Sequence, residues 1–310
     1  MSEIAAGAAK LPITVLILAF NEEIHIERCL TRLAAWVEHI VVIDSFSKDR
    51  TVEIATGLGA EVLRHPFKNH ADQFRWGLEA AAPTTPWVMR VDADEYFEDD
   101  VAGLLRSLLP SLPDDVAGVT FKRKFIFQER WIQHGRYYPT VLLRLWRNGA
   151  GEIEQRWMDE HIILKRGRTA SLEGGDLVDH NLNGLDAWIA KHNRYATLAM
   201  IDYLNREHRL FEEDTRMESA EGAAKRNRFL KNSVYARLPL YARALALYVY
   251  RYIFRLGFLD GRVGLVFHFM HGLWLFMLMD AKLDEARDFI KRRGVEAFKQ
   301  NLRQVHGIDL

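Results

Sequence analysis

The first hundred residues alternate between short apolar runs and stretches with helical spacing. Four runs have apolar residues at their centre and the length of strands: residues 13–19, 39–44, 61–64 and 87–91. Three stretches between them carry apolar residues three and four positions apart, as amphipathic helices do: residues 22–35, 52–58 and 71–82. This alternation predicts an α/β domain with a Rossmann-like, mostly parallel sheet flanked by helices.

Polar side chains follow three of the predicted strands. Asn21 comes after the first strand, Asp44 ends the second, and Asp92, Asp94 and Glu95 follow the fourth. The carboxyl ends of parallel strands share one edge, where ligands bind. Because Asp92 and Asp94 are two residues apart, their side chains can converge at a strand end on one hard cation with oxygen ligands. Such a cation commonly holds a diphosphate, so the sequence predicts a nucleotide site at this edge.

Each of these residues also has a structural interpretation. Asn21 can cap the next helix or line a nucleotide pocket, and Asp44 can shape a turn or accept hydrogen bonds from a base or ribose. Asp-x-Asp alone can be no more than an acidic turn. Its interpretation as a metal site is strengthened because Asn21 and Asp44 are predicted at the same edge of the sheet. The first strand is not followed by Gly-x-Gly-x-x-Gly, which disfavours a dinucleotide site.

The stretch from residue 101 to residue 182 is less regular and is rich in arginine and aromatic residues. Asp159 and Glu160 lie there, and a carboxylate among aromatic side chains suits a general base. An exposed charged turn is the alternative. His180 is either a third metal ligand or a hydrogen-bonded structural histidine.

Taken in order, these segments resemble the family 2 glycosyltransferases, and most closely bacterial members that build lipopolysaccharide core, such as the β-1,4-glucosyltransferase group. The resemblance covers roughly residues 11–182 and is carried by residues 13–15, 19–23 and 42–51, Gln73, residues 87–95, and Met158-Asp159-Glu160-His161. Two positions depart from the family. Phe46 stands where glycine is common, and Arg90 stands where an apolar residue is usual.

The resemblance implies a GT-A fold and an inverting transfer of sugar from a nucleoside-diphosphate donor, expected to be UDP-linked, to a lipid-linked or lipopolysaccharide-type glycan. It assigns nucleotide-sugar binding to six residues: Phe20, Asn21, Glu22, Asp44, Gln73 and Asp92. It places Mg²⁺ or Mn²⁺ on Asp92 and Asp94, with Asp94 the more direct ligand and His180 a candidate third. Glu160 is the expected base, with Asp159 as the alternative.

The chemistry of sugar transfer fits these assignments. A divalent cation on the diphosphate stabilises the leaving group, and a single inverting displacement needs one base for the acceptor hydroxyl. That base should lie across the sugar from the metal and hence on a different segment, a requirement that Glu160 meets because it is distant from Asp94 in the sequence. Two other functions stay open. A metal-dependent nucleotidyltransferase would usually have a Gly-rich basic loop after the first strand, and a membrane scaffold would bind a sugar nucleotide without turnover.

Charge is divided unevenly along the chain. Residues 225–310 carry 16 Lys and Arg against 7 Asp and Glu, whereas residues 1–224 carry 26 against 35. Four arginines fall within about 120° of one helix, beside a broad Tyr/Leu/Phe face: Arg237, Arg243, Arg251 and Arg255. This pattern is typical of a helix at an anionic membrane surface. The following 17 residues, 263–279, lack Asp, Glu, Lys and Arg and are at the short limit for a span.

This apolar segment has three interpretations: a membrane span, a monotopic hairpin turning at Gly257 and Gly261, or a core or dimer helix. The hairpin is favoured, and nucleic-acid binding is disfavoured because the apolar content is too high. We therefore expect a catalytic domain over residues 1–182, with nucleotide-sugar binding in 11–100 and the acceptor and base region in 101–182. A helical module follows over 183–310, membrane-associating around 234–280. The expected location is the cytoplasmic face of the inner membrane, and the single Cys29 fits a reducing compartment.

Overall fold

The computed structural model describes residues 9–154, 160–211 and 238–309. The described residues form two compact units, the first over residues 9–154 and 160–182 and the second over residues 183–211 and 238–309. The functions predicted for the corresponding stretches of sequence stay predictions.

The first unit alternates strands and helices over its first hundred residues. Its early strands are β1 (Leu11–Ala19), β2 (Val37–Asp44), β3 (Glu61–Arg64) and β4 (Trp87–Arg90). Its helices are α1 (Ile26–Ala34), α2 (Thr51–Gly57), α3 (His70–Ala81) and α4 (Val101–Leu108). The other eight strands of this unit are β5 (Glu95–Phe97), β6 (Val116–Phe127), β7 (Arg130–Ile132), β8 (Thr140–Arg147), β9 (Gly151–Ile153), β10 (Ile162–Leu164), β11 (Arg168–Ser171) and β12 (Leu177–His180).

Ten of these strands form one sheet, in the order β3-β2-β1-β4-β8-β6-β12-β5, with β7 and β11 also paired to β6. Strands β1 to β4 are mutually parallel, whereas β8 runs antiparallel to both β4 and β6. The predicted α/β class with a mostly parallel sheet is therefore confirmed. Because β1 lies between β2 and β4, the carboxyl ends of these three strands are neighbours.

Both faces of β1 are buried, which explains its continuous apolar sequence. Ile13, Val15 and Ile17 pack into a core that includes Cys29 and Leu30 of α1. Leu16 faces the other way, into a core with Ile43 and Phe74. Successive side chains of a strand point to opposite faces, so one run of residues serves both layers of helices.

The second unit is helical in its described part, as the sequence predicts. Its helices are α5 (Leu185–His208), α6 (Ala242–Val249), α7 (Gly261–Phe267), α8 (Leu275–Arg293) and α9 (Val295–His306). A π-helical turn, Tyr250–Phe254, follows α6, a 3-10 turn, Gly257–Asp260, precedes α7, and a second π-helical segment, His268–Trp274, joins α7 to α8. Leu204, Leu283 and Leu302 lie in its core.

The prediction that Arg243 lies with three other arginines on one exposed side of a helix is wrong. Arg243 is 3% exposed, and its Nε donates to Asp280 at 2.8 Å inside the second unit. Arg243 is therefore compensated by Asp280 of α8 inside the second unit and does not contribute charge to the surface. Arg237 lies outside the described residues.

Candidate active site

The loops that follow β1 and β2 are joined by hydrogen bonds from Asn21. Its backbone N–H donates to Ser47 Oγ at 2.9 Å, and its Oδ1 accepts from the Lys48 N–H at 2.9 Å. Asn21 has φ of 56°, a left-handed conformation that asparagine tolerates better than most residues. Since α1 begins only at Ile26, Asn21 does not cap that helix and instead clamps the two loops together.

Asp44 is fully buried at the end of β2. Its two carboxylate oxygens accept from the Ser47 N–H at 3.1 and 3.2 Å, and Arg64 Nε lies 3.7 Å away. The turn that Asp44 holds carries Phe46 at φ of 61° with half of its surface exposed, 51%. Phe20, the first residue of the loop after β1, is exposed to a similar extent, 54%. The edge predicted for the nucleotide therefore presents two aromatic side chains.

Glu22 ties this edge to the end of the first unit through His25. The Glu22 backbone N–H donates to Thr51 Oγ1 at 2.7 Å, and its Oε2 lies 2.6 Å from His25 Nδ1. His25 is fully buried, and its Nε2 accepts from the Leu182 N–H at 2.8 Å. Because a backbone N–H only donates, the ring proton is on Nδ1 and points to Glu22. No pattern in the sequence indicates this role of His25.

Gln73 lies fully buried on α3, close to the start of the helix. Its Nε2 donates to the His65 carbonyl at 3.2 Å. Its Oε1 is buried and has no hydrogen-bond partner among the described residues. Buried acceptors are normally satisfied, so this oxygen is suited to a donor group that arrives with a ligand.

Two arginines flank Asp92. Arg90 Nε donates to Asp92 Oδ1 at 3.2 Å, and Arg144 Nη2 donates to Oδ2 at 3.1 Å. Arg144 Nη2 also donates to Glu95 Oε1 at 2.7 Å, and the other oxygen of Glu95 accepts from the Asp92 N–H at 3.0 Å. Arg90 Nη2 donates to Glu160 Oε1 at 3.3 Å. Arg90 thus connects Asp92, which follows β4, with Glu160, which lies 70 residues after Arg90 in the sequence.

Arg90 and Arg144 were not predicted as site residues. Both are less than a tenth exposed and lie on the adjacent strands β4 and β8. Their sequence signal is a charged residue inside an otherwise apolar strand, since a buried arginine nearly always has a partner. The identity of that partner could not be obtained from the sequence, because the neighbour of β4 is a strand more than fifty residues later.

The two carboxylates that share Arg144 have opposite electrostatic behaviour. Burial alone would raise the pKa of Asp92, but the charges of Arg90 and Arg144 outweigh it and hold that pKa well below its usual range. Burial raises the pKa of Glu95 to about 7, because Arg144 opposes it only in part and Asp92 adds a neighbouring negative charge. Burial disfavours the charged form of Arg144, yet Glu95 and Asp92 together raise its pKa above the ordinary value.

Asp94 has a different environment from Asp92. Its Oδ2 accepts from the neutral amide of Asn181 at 2.9 Å, and its backbone carbonyl accepts from Arg28 Nη2 at 3.2 Å. In the described ranges, no three His, Cys, Asp or Glu side chains converge as a complete metal site. Mg²⁺ commonly uses one or two carboxylates and takes its other ligands from phosphates and water. Asp94 and Asp92 are the carboxylates after β4 that such a cation would use, and both oxygens of Asp92 now accept from arginines.

His180 has both ring nitrogens in hydrogen bonds. Nδ1 lies 3.2 Å from Arg28 Nη1, and Nε2 lies 3.0 Å from Glu129 Oε1. Because arginine only donates, Nδ1 accepts and Nε2 carries the proton. Coordination of a metal by His180 would require the ring to give up one of these two hydrogen bonds. The arrangement therefore does not favour the predicted role of His180 as a metal ligand.

Glu160 presents one oxygen that is not used elsewhere in the described chain. Its side chain is 11% exposed, Oε1 accepts from Arg90, and Oε2 has no hydrogen-bond partner among the described residues. A fixed carboxylate with a free oxygen is the arrangement that a general base requires. The alternative base, Asp159, lies outside the described residues.

Comparison with known proteins identifies the family. The model named Glycosyl transferase family 2 matches residues 14–171. This chain belongs to glycosyltransferase family 2. The match includes Asp44, Asp92, Asp94 and Glu160 and covers about half of the chain. The predicted family and enzyme class are confirmed, and sugar transfer is therefore favoured over a nucleotidyltransferase or a non-catalytic scaffold.

Curated relatives match at moderate identity. The lipopolysaccharide core biosynthesis glycosyltransferase LpsC of Rhizobium meliloti is 28% identical over 199 residues, which are 61% of this chain and 70% of LpsC. The uncharacterized glycosyltransferase RT0209 of Rickettsia typhi is 26% identical over 129 residues, 42% of this chain and 43% of that protein. The chain thus spans less than half of the length of the second relative.

Solved structures resemble the chain only distantly. Residues 1–349 of S. aureus TarS, crystallised with UDP-GlcNAc, give a TM-score of 0.45 at 12% identity, covering 89% of this chain and 92% of that one. Glucosyl-3-phosphoglycerate synthase of Mycobacterium tuberculosis, with Mn²⁺, UDP and glucosyl-3-phosphoglycerate, gives 0.39 at 18% identity, covering 60% and 78%.

Proposed function

We propose that this glycosyltransferase is a metal-dependent inverting enzyme that transfers a sugar from a UDP-linked donor to a lipid-linked or lipopolysaccharide-type glycan. One observation carries the proposal. Asp92, after β4, and the distant Glu160 are held on the same guanidinium, that of Arg90, at 3.2 and 3.3 Å. This geometry supports the proposal, because one carboxylate would serve the donor diphosphate and the other, from a separate segment, would serve as the base. The name of LpsC supports the class of acceptor.

In the proposed mechanism the carboxylates after β4 and Glu160 have different roles. Asp94, with Asp92, would hold Mg²⁺ or Mn²⁺, which when bound neutralises charge on the departing diphosphate. Glu160 Oε2 takes the proton of the acceptor hydroxyl as the acceptor oxygen attacks the anomeric carbon. The bond from that carbon to the diphosphate oxygen breaks on the opposite face, so the configuration inverts. The nearly complete burial of Arg90 and Arg144 keeps this region low in dielectric, where such charges act strongly.

The nucleoside would lie at the edge formed by the loops after β1 and β2. Phe20 offers an exposed ring, and Gln73 offers the buried Oε1 described above. Asn21, Glu22 and Asp44 would shape this edge through the hydrogen bonds that join the two loops. Their direct contact with base or ribose is part of the proposal.

Two isosteric substitutions test the function. We expect Glu160→Gln to lower kcat by about 10² to 10⁴, the usual contribution of a general base, while UDP with Mn²⁺ still raises the melting temperature. Asp94→Asn should abolish the Mn²⁺-dependent part of that stabilisation. The matched control is Glu173→Gln, because Glu173 is an exposed carboxylate paired with Lys122. Full transfer activity in Glu160→Gln would refute the base assignment, and unchanged Mn²⁺-dependent stabilisation in Asp94→Asn would refute the metal site.

We also propose that the second unit attaches the enzyme to the cytoplasmic face of the inner membrane, as a peripheral or monotopic protein. Continuous helix over Gly257–Arg293, 37 residues, has a mean hydropathy of 1.4 in its most apolar part, and by length and composition it could cross a membrane. Of the 18 residues in this most apolar part, only 33% are buried.

The residues just before and at the start of this helix present an exposed apolar surface that we call the apolar tip. It comprises Ile253, Phe254, Leu256, Phe258 and Leu259, of which Phe254 is 71% exposed. Asp260 is the one acidic residue between positions 250 and 279, and it is buried with Oδ2 3.2 Å from His268 Nε2. The neighbouring Arg255 and Arg262 are exposed. Apolar side chains flanked only by positive charge match an anionic lipid surface.

A further inference from the structure

Arg90 is the residue of the active site that neither the family resemblance nor the chemistry of sugar transfer requires. It follows Trp87, Val88 and Met89 in a strand whose residues are all buried, and its own exposure is 7%. Its guanidinium carbon lies 5.6 Å from the centre of the Phe74 ring. Burying a guanidinium is costly unless it is paired, so the contacts that it makes should account for its presence.

The contacts of Arg90 are with two carboxylates on separate segments. Nε donates to Asp92 Oδ1 at 3.2 Å and Nη2 donates to Glu160 Oε1 at 3.3 Å. A guanidinium is planar and rigid, so donation from two of its nitrogens fixes the separation of the two acceptors. Asp92 is itself anchored by Arg144 and, through its backbone N–H, by Glu95. Glu160 precedes β10 and, in the described part of the chain, takes its one side-chain hydrogen bond from Arg90.

We propose that Arg90 is a positioning residue that holds Glu160 at a set distance from the diphosphate side of the site and directs Oε2 toward the acceptor. This inference rests on the proposed function, in which Glu160 is the base. In the reaction the acceptor O–H bond breaks and its proton passes to Glu160 Oε2, the new C–O bond forms, and the diphosphate leaves with the electrons of the old bond. Arg90 keeps its own protons throughout.

The first test compares Arg90→Met with Arg147→Met. Methionine keeps much of the length and removes the bridge, whereas Arg147 is an arginine of the same sheet that donates to the Val116 carbonyl and lies over Trp87. We expect Arg90→Met to lower kcat by about 10²-fold, the cost of a small misplacement of a catalytic group. The KM for the donor and the stabilisation by UDP with Mn²⁺ should stay within about twofold, because the anchors of the donor side remain. Arg147→Met should leave kcat within about twofold.

The second test is a double-mutant cycle with Glu160→Asp, which keeps a carboxylate but shortens it beyond the reach of Arg90. If Arg90 acts through Glu160, Arg90→Met should cost less than about threefold in the Glu160→Asp background, because the bridge is already broken. Arg90→Lys, which keeps the charge without the planar fork, provides a second variant should Arg90→Met unfold, and it should lose at least about tenfold in kcat.

Three results would overturn the inference: an unchanged kcat in Arg90→Met and Arg90→Lys, equal costs in both backgrounds of the cycle, or a loss of UDP and Mn²⁺ stabilisation that accompanies the loss of kcat. Full activity of Glu160→Gln would instead refute the proposed base, whatever the Arg90 variants do, so the two failures are distinguishable.

Discussion

At the scale of single residues, the site shows how neighbouring carboxylates acquire different properties. Asp92 contacts two guanidinium groups and stays ionised, whereas Glu95 is 1% exposed, contacts one of them and faces Asp92. Both environments follow from the positions of Arg90 and Arg144, on different strands. The spacing of the acidic residues therefore located the site without revealing which carboxylate is held as an anion.

The raised pKa of Glu95 predicts a pH dependence of stability. Its pKa is about 7 in the folded protein against an ordinary value of 4.5, so between these pH values the folded state holds a proton that the unfolded chain releases. The stabilisation is complete below about pH 4.5 and is lost as the pH rises to about 7. We expect wild type to lose up to about 3 kcal/mol relative to Glu95→Gln across this window. Urea unfolding at several pH values measures the difference, and a constant difference would contradict the assignment.

At the scale of elements, close packing against β2 sets the distance between the sheet and α3, the helix that carries Gln73. A Cβ at Gly77 would lie 2.4 Å from Ile43 Cγ1, and Ile43 directly precedes Asp44. Gly77 is therefore required for close approach and not for backbone conformation. The period of apolar residues predicted both elements, but the distance between them depends on this one missing side chain.

Substitution of two helical glycines tests this packing. Gly77→Ala should destabilise the protein by about 1 to 3 kcal/mol through overpacking and should weaken UDP binding. Gly103 in α4 has open space where a Cβ would be placed. Gly103→Ala should therefore stabilise by up to about 1 kcal/mol through helix propensity alone. Thermal unfolding of the pair provides the comparison, and equal stabilisation by both substitutions would show that α3 does not require the glycine.

At the scale of the whole molecule, the zero net charge is the sum of an acidic stretch, residues 1–224, and a basic stretch, residues 225–310. The structure refines this division, because Arg243 is buried with Asp280 and the exposed positive charge near the apolar tip comes from Arg255 and Arg262. The proposed membrane attachment therefore depends on the apolar tip and these two arginines.

Vesicle binding tests this attachment. We expect the enzyme to sediment with phosphatidylglycerol vesicles, and we expect binding to weaken as salt screens the arginines. Phe254→Ser with Leu259→Ser should reduce binding by about 10²-fold, since each removes apolar area that lipid would cover and that is worth about 1.5 kcal/mol or more. Val305→Ser is the control, because Val305 is 64% exposed on α9, away from the apolar tip in the sequence. Equal binding by the double variant and wild type, or solubility without detergent or lipid and no vesicle binding, would contradict the proposal.

The sequence alone determined the family, the alternation of strands and helices, and the edge at which Asn21, Asp44 and Asp92 lie. Those features depend on local periodicity and on the rule that the ends of parallel strands coincide. Only the tertiary structure placed β8 beside β4, buried Arg90 and Arg144 on either side of Asp92, and connected Arg90 to Glu160. The physical reason is that the partner of a buried charge is set by which distant strand packs next to it, and no local pattern of residues carries that information.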